Sequence, residues 1–302
     1  MVNGLGVNLW AWWRQTRAAL TQADQQSLDW LVQELTGLDA LDLHLGYLRE
    51  PVIATQGHPT DVATLASLWA RHCQERVPVQ YLAGRTSWRD FQLQVGPGVL
   101  IPRPETEQLV DLAVAAARPA GLDRGDWLDL GTGSGAIALG VGRELPRVTV
   151  HAVDRSPAAL TIAQANARNL GLTNRIQFYT GDWFEPLAHL RGRVQALLAN
   201  PPYIPTEDLA HLQPEIAHHE PRLALDGGSD GLDSLRVLVT QGWRYLRPGG
   251  LWAVETMAGQ PPYVVDLLRA TGHYRDLRTY TDWAGQERFV LATVGTGDRT
   301  SS

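Results

Sequence analysis

The sequence predicts an α/β protein: a mostly parallel sheet covered by helices, finished by an antiparallel hairpin and preceded by a small helical domain. Three observations predict it. From Trp127 onward, short apolar runs alternate with stretches of helical spacing, the pattern of strands joined by crossover helices. The last two strand-like runs, 274–280 and 288–294, lie too close together for a crossover and must pair antiparallel. Before residue 77, apolar residues recur at helical steps with little strand character.

In the first region, Leu28, Leu31, Val32 and Leu35 share a helix face, as do Val62, Leu65, Leu68 and Trp69. Asp24 and Thr60 are expected to cap these two helices. Gly37, Gly46, Pro51 and Gly57-His58-Pro59 supply the breaks between helices. Trp10, Trp12 and Trp13, among eleven tryptophans, are expected to pack this domain's core. Phe91-Gln92-Leu93-Gln94-Val95 alternates as a strand. Gly96-Pro97-Gly98 reads as a turn into Val99-Leu100-Ile101, making a hairpin that bridges two domains. The division expected is a helical domain at 1–88, a hairpin linker at 89–103 and a sheet domain at 104–302.

Pro104 is placed to begin a helix over 105–117. Beyond it, strands are expected at 127–130, 148–153, 175–179, 194–199 and 251–255. Helices are expected at 135–144, 157–170, 231–246 and 261–271. The polar tail from Gly295 to Ser302 is expected to be disordered.

At 302 residues with 44% hydrophobic and 19% charged residues, the composition is that of a globular protein. A net charge of −6 argues against a general affinity for nucleic-acid backbones, which favour basic faces. The single cysteine, Cys73, permits no internal disulfide and no cysteine-built zinc site. Its helical setting suggests a buried, inert thiol. The N-terminus lacks a secretory pattern, and no apolar run approaches membrane-spanning length, so a soluble cytoplasmic protein is expected.

Two motifs carry chemistry. Leu128-Asp129-Leu130 leads into Gly131-Thr132-Gly133-Ser134-Gly135 and then Ala136-Ile137-Ala138-Leu139, a strand, glycine turn and helix. Glycines there admit positive φ and let backbone approach a ligand. The spacing is Gly-x-Gly-x-Gly, shorter than that of dinucleotide sites, and resembles the loop of S-adenosylmethionine-dependent methyltransferases. The next strand ends at Asp154, placed to accept from ribose hydroxyls. Gly181-Asp182-Trp183 follows the third, suited to the edge and face of an adenine. A bland turn is the alternative for the glycine loop alone; the ordered set after successive strands is what carries the reading.

The second motif, Asn200-Pro201-Pro202-Tyr203, ends the run 194–199. The two prolines lack N–H groups, so the turn presents mainly acceptors. The Asn200 carboxamide oxygen and the Pro201 carbonyl suit both N–H bonds of one planar –NH₂ group, with Tyr203 against its face. A tight strand-to-loop turn is the structural alternative.

Together these motifs resemble the release-factor glutamine methyltransferases, the protein-(glutamine-N(5)) methyltransferases, over residues 77–294. Pro78-Val79-Gln80-Tyr81-Leu82-Ala83-Gly84 is similar to that family's domain junction. Leu100-Ile101-Pro102-Arg103-Pro104-Glu105-Thr106-Glu107 resembles a further family segment. So does Glu220-Pro221, followed by Ala224-Leu225-Asp226-Gly227-Gly228 and Asp230-Gly231-Leu232-Asp233.

The resemblance implies a Rossmann-like class I S-adenosylmethionine-dependent methyltransferase sheet that methylates the glutamine of a Gly-Gly-Gln loop in peptide-chain release factors, modulating translation termination. It assigns Gly131, Thr132, Gly133, Ser134 and Gly135 to the methionine part of S-adenosylmethionine, Asp154 to the ribose, and Asp182 and Trp183 to the adenine. Asn200, which also borders the cofactor, would join Pro201, Pro202 and Tyr203 in gripping the glutamine amide. The catalytic roles fall to Asn200, Pro201 and Tyr203. The helical domain would hold the release factor.

The chain departs from the family after Glu255, where Thr256-Met257 precede Ala258-Gly259-Gln260, so neither Glu255 nor Gln260 receives a role. Arg103, Glu105 and Glu107 fit either a flap or charges at a helix N-terminus. His218-His219-Glu220 reads as an incidental loop, and no metal is called for. Methylation of a nucleic-acid base amino group stays open as a second reading, although the acidic balance counts against it. A non-catalytic binding module on the same sheet is a third.

Overall fold

The computed structural model describes residues 4–45 and 61–295. They divide into two compact units, one drawn from Met1–Arg85 with Pro214–His219, the other from Thr86–Gln213 with Glu220–Ser302.

The first unit holds α1 (Gly4–Ala18), α2 (Gln22–Thr36), α3 (Ala40–Leu45), α4 (Val62–Glu75) and α5 (Val79–Ala83). Leu28, Leu31 and Val32 of α2, Leu65 and Trp69 of α4 and Leu9 and Trp13 of α1 share one buried core. Trp10 and Trp12 pack against it, half-buried. Helix α2 is capped by Thr21, not Asp24: the Thr21 hydroxyl accepts from the Asp24 amide at 3.3 Å and donates to its carboxylate at 2.8 Å. Gly37 closes α2 in the left-handed conformation. Asp61 caps α4, accepting from the Thr64 amide at 2.7 Å. Thr60 and the breaks at Gly46, Pro51 and Gly57-His58-Pro59 lie outside the described residues, as does the tail after Gly295.

Cys73 is exposed, contrary to the buried thiol expected. Leu65, Trp69 and His72 define the inward stripe of α4. Cys73 stands one residue, about 100°, beyond that stripe.

The second unit opens at Thr86 in β1 (Arg85–Trp88), which pairs with β2 (Phe91–Gln94) as a two-stranded sheet. The expected partner, Val99-Leu100-Ile101, forms no strand. Pro97 has no amide to donate and Gly98 turns at φ +110°, so the chain leaves the pairing plane there. The actual turn is Arg89-Asp90, with Arg89 at φ 53° and its amide donating to the Glu107 carboxylate at 2.8 Å.

Then come α6 (Pro104–Ala117), β3 (Arg124–Leu130), α7 (Ala136–Glu144), β4 (Arg147–Asp154), α8 (Pro157–Asn169), β5 (Ile176–Thr180) and β6 (Val194–Ala199). After the short α9 (Pro214–His219, counted with the helical unit) follow α10 (Asp233–Gly242), β7 (Leu246–Glu255), α11 (Pro261–Thr271), β8 (Tyr274–Thr281) and β9 (Glu287–Val294). The seven-stranded sheet runs β5-β4-β3-β6-β7-β9-β8, parallel except where β9 meets β7 and β8. This is the Rossmann-like sheet with the terminal antiparallel hairpin that the sequence predicts.

Strand alternation sorts the core into two layers. Trp127, Ala196, Leu198, Leu251, Ala253, Phe289 and Leu291 face the layer that includes α6 and α7. Leu128, Leu197, Trp252, Val254, Val290 and Ala292 face the layer of α10 and α11. Strand order reverses between β3 and β6, and open α/β sheets bind ligands at such a reversal, beyond the carboxyl ends of the strands.

Candidate active site

The carboxyl ends deliver the singled-out residues to one place. Gly131 follows β3, Asp154 ends β4, Asp182 and Trp183 follow β5, and Asn200 follows β6. A cavity of about 270 Å³ is lined by Gly131, Gly133, Asp154, Asp182, Trp183, Asn200 and Pro202, with Gly98, Val99 and Pro221 among its other walls.

The glycine loop is tied down by the protein's own hydrogen bonds. Gly131, Gly133 and Gly135 take φ of 77°, 54° and 88°, open to glycine and costly to other residues. Gly131 lies under the Trp183 ring, where an added Cβ would stand 3.7 Å from it. At Gly135 a Cβ would come within 3.2 Å of Ala163, so this glycine lets α7 approach α8. Asp129 is buried, and its Oδ2 accepts from the Thr132 hydroxyl at 2.5 Å and the Ala138 amide at 3.0 Å. Burial pushes the Asp129 carboxyl up to about 7. Thr132, Ser134 and Gly135 do not line the cavity: the first is buried against Asp129, the carbonyl of the second accepts from Asn166 at 2.9 Å, and the third caps α7.

Asp154 accepts from the Gly133 amide at 2.8 Å and the Ser156 amide at 2.9 Å, one at each oxygen. Each oxygen keeps a further lone pair for a hydroxyl donor. Burial raises its pKa against those two amide bonds. Trp183 takes a left-handed φ of 49°, an uncommon conformation for a bulky residue, and is half-buried at the cavity wall.

Asn200 donates from Nδ2 to the Thr106 hydroxyl at 3.0 Å. With Nδ2 engaged, Oδ1 is the carboxamide atom left to accept. Pro201 and Tyr203 lie behind the lining: Pro201 is buried, and burial raises the Tyr203 phenol, with Glu255 adding to the effect. The chain past Tyr203 is clamped by glycines. Gly227 donates to the Ile204 carbonyl at 2.8 Å, and Thr206 donates to Gly228 at 2.9 Å. A Cβ on Gly231 would stand 2.3 Å from the Tyr203 carbonyl oxygen.

The methyltransferase small domain family matches residues 113–229. A release factor glutamine methyltransferase of Synechocystis sp. is 49% identical over 268 residues, 88% of this chain and 88% of that one. The chain belongs to the release factor glutamine methyltransferase family. The family member of Gloeobacter violaceus is 48% identical, covering 92% of this chain and 95% of that one. The member of Thermosynechococcus vestitus is 43% identical, covering 95% and 98%.

For a methyltransferase of this family, the structure adds residues that sequence reasoning left without a role. Thr106, in the first turn of α6, holds Asn200. Gln260 donates to the Tyr203 carbonyl at 2.9 Å and to Gly231 at 3.3 Å, while its own oxygen accepts from the Met257 amide at 3.0 Å. Glu255 ends β7 almost fully buried, at 1% exposure, and burial pushes its carboxyl up to about 7. Arg103 pairs with Glu220 at 2.7 and 2.8 Å, and the His219 ring bonds the Glu75 carbonyl at 2.7 Å. Among the described residues, no group of three or more His, Cys, Asp or Glu is arranged to hold a metal, and no helix is long and apolar enough to cross a membrane.

Proposed function

We propose that this methyltransferase transfers a methyl group from S-adenosylmethionine to the side-chain amide nitrogen of the glutamine in the Gly-Gly-Gln loop of a peptide-chain release factor. What carries the reading is an intact Asn200-Pro201-Pro202-Tyr203 turn beside the glycine loop, in a chain 49% identical to a release factor glutamine methyltransferase. Gly131, Gly133, Asp154, Asp182 and Trp183 line one cavity, a fit for a nucleoside whose ribose meets Asp154 and whose base meets Trp183. Bound there, S-adenosylmethionine would supply an electrophilic sulfonium methyl.

An amide nitrogen is a poor nucleophile because its lone pair is delocalised into the carbonyl. The Asn200 oxygen and the Pro201 carbonyl would accept its two N–H bonds, turning the nitrogen towards the methyl and stabilising the positive charge that develops on it. Tyr203 would flank the amide plane, and its raised pKa keeps the phenol neutral and unsuited as a base. Asn200 cannot serve as a base near neutral pH either, so the amide proton leaves to water after the N–C bond forms.

The helical unit would hold the body of the release factor, and the reaction would take place in the cytoplasm. The test is labelled S-adenosylmethionine with a release factor, a copy whose Gly-Gly-Gln glutamine is alanine, and DNA. Label on the intact factor alone supports the reading. Label on DNA alone overturns it in favour of base methylation.

A further inference from the structure

We propose that Gln260 is a positioning residue for methyl transfer, a latch on the peptide plane that follows Tyr203. The inference rests on the proposed place of Tyr203 against the substrate amide. Its basis is three hydrogen bonds made by one buried carboxamide. Gln260 is 4% exposed, and its Nε2 donates to the Tyr203 carbonyl at 2.9 Å and to the Gly231 carbonyl at 3.3 Å. Its Oε1 accepts from the Met257 amide at 3.0 Å. These partners fix which way the carboxamide points. Both carbonyls only accept and the Met257 amide only donates, so a flipped Gln260 would set oxygen against oxygen and N–H against N–H.

The Tyr203 carbonyl is where the turn needs a hold. Pro201 and Pro202 fix their own φ angles through their rings. From Ile204 onward the backbone is paired: the Ile204 amide donates to the Leu225 carbonyl at 3.0 Å, and its carbonyl accepts from the Gly227 amide at 2.8 Å. Tyr203 lies between the ring-locked and the paired segments. Holding its carbonyl fixes the plane of the Tyr203–Ile204 peptide, and with it the direction in which the Tyr203 side chain leaves the backbone.

Two glycines make room for the latch. A Cβ on Gly231 would stand 2.6 Å from Gln260 Nε2, and one on Gly227 would stand 2.8 Å from Tyr203 Cα. The latch is anchored at its own end as well. The Gln260 amide donates to the Met257 carbonyl at 3.0 Å, and its carbonyl accepts from the Val264 amide of α11 at 3.2 Å. Val264 and Leu268 bury that helix in the core. A side chain of similar length without the donors would therefore leave α11 in place and free the Tyr203 peptide to turn.

The experiment takes the full chain and compares it with Gln260→Met, Tyr203→Ala and the double variant. It measures kcat and KM on the release factor, cofactor affinity by calorimetry, and solvent exchange of the parent's Gln260 side-chain amide protons by NMR. Gln260→Met should lose about 10–100-fold in kcat while cofactor affinity stays within about threefold. In the Tyr203→Ala background the same change should cost less than about threefold further, because the group it positions is gone. Losses that multiply in full overturn the latch in favour of a general structural part, and so does a folded Gln260→Met variant with parental kcat. The Gln260 amide protons should exchange slowly in the parent. Fast exchange overturns the latch even where Gln260→Met fails to fold. Should the parent itself transfer no methyl to the release factor, the proposed function falls, and the exchange rate still decides whether the latch exists.

Discussion

Arg103 places one guanidinium nitrogen 2.7 and 2.8 Å from the two carboxylate oxygens of Glu220, joining residues 117 positions apart. The Glu220 side chain is 1% exposed and that of Arg103 29%. The pair anchors the start of α6 to the segment whose next residue, Pro221, lines the cavity.

Arg103→Met would strand that carboxyl. Removing one partner of a buried pair costs about 3–5 kcal/mol, and partial exposure of Arg103 places the loss nearer 2–3 kcal/mol. The cost depends on pH. Burial already raises the Glu220 pKa against the pull of Arg103, so the variant's folded pKa rises further above its unfolded value. The unfolded states are alike, so the deficit is smallest while both folded carboxyls stay protonated and grows as pH rises through the parent's own raised folded pKa. Urea unfolding at pH 5 and pH 8 should show the larger gap at pH 8.

Asp129 gives a second pH signature. Its folded pKa of about 7 lies above the unfolded value of 3.8. The folded state then holds the proton more tightly, and this residue's contribution to stability declines as pH rises from 3.8 towards 7. Asp129→Asn should flatten that part of the stability–pH curve. Denaturation midpoints across pH 4–8 check it; equal slopes in parent and variant would refute the assignment.

Gly231→Ala meets two obstacles, a φ of 75° and a Cβ 2.3 Å from the Tyr203 carbonyl oxygen. Backbone cannot swing aside as a side-chain tip does. Stability should fall by about 2 kcal/mol or more, with turnover reduced because Tyr203 shifts. A melting curve and a kcat measurement on the same sample test both.

Asn200→Ala separates chemistry from binding. On the proposed role of Asn200, loss of its acceptor oxygen should lower kcat by about 10²–10³-fold while cofactor affinity stays within about threefold. A binding module would keep its function unchanged.

The sheet was legible because its strands and helices obey their own periods, and every strand of it from Trp127 on announces itself locally. Asn200 and the glycine loop were legible because they sit where those periods end. Thr106 was not: in a helical first turn it looks like any other threonine, and its meaning lies in Asn200, 94 residues away. Gln260 is hidden similarly, its bonds to Tyr203 and Gly231 lying far off in the chain, and Glu255 by a burial that only the fold creates. The β1–β2 turn is hidden in the sequence, because Arg89-Asp90 lacks the glycine or asparagine that usually marks a left-handed turn residue. The exposure of Cys73 is hidden in the sequence, because a helical pattern gives the face only once the inward stripe is known.

The tethers on the glycine loop bear on how its ligand would bind. Asp129 grips the loop through Thr132 and Ala138, Asp154 through Gly133, and Asn166 through Ser134. Ordering a free backbone residue costs about 1–2 kcal/mol, and here that entropy is surrendered when the chain folds. Association then draws on a pre-set frame, and the calorimetric signature should carry little of the unfavourable entropy that accompanies loop closure.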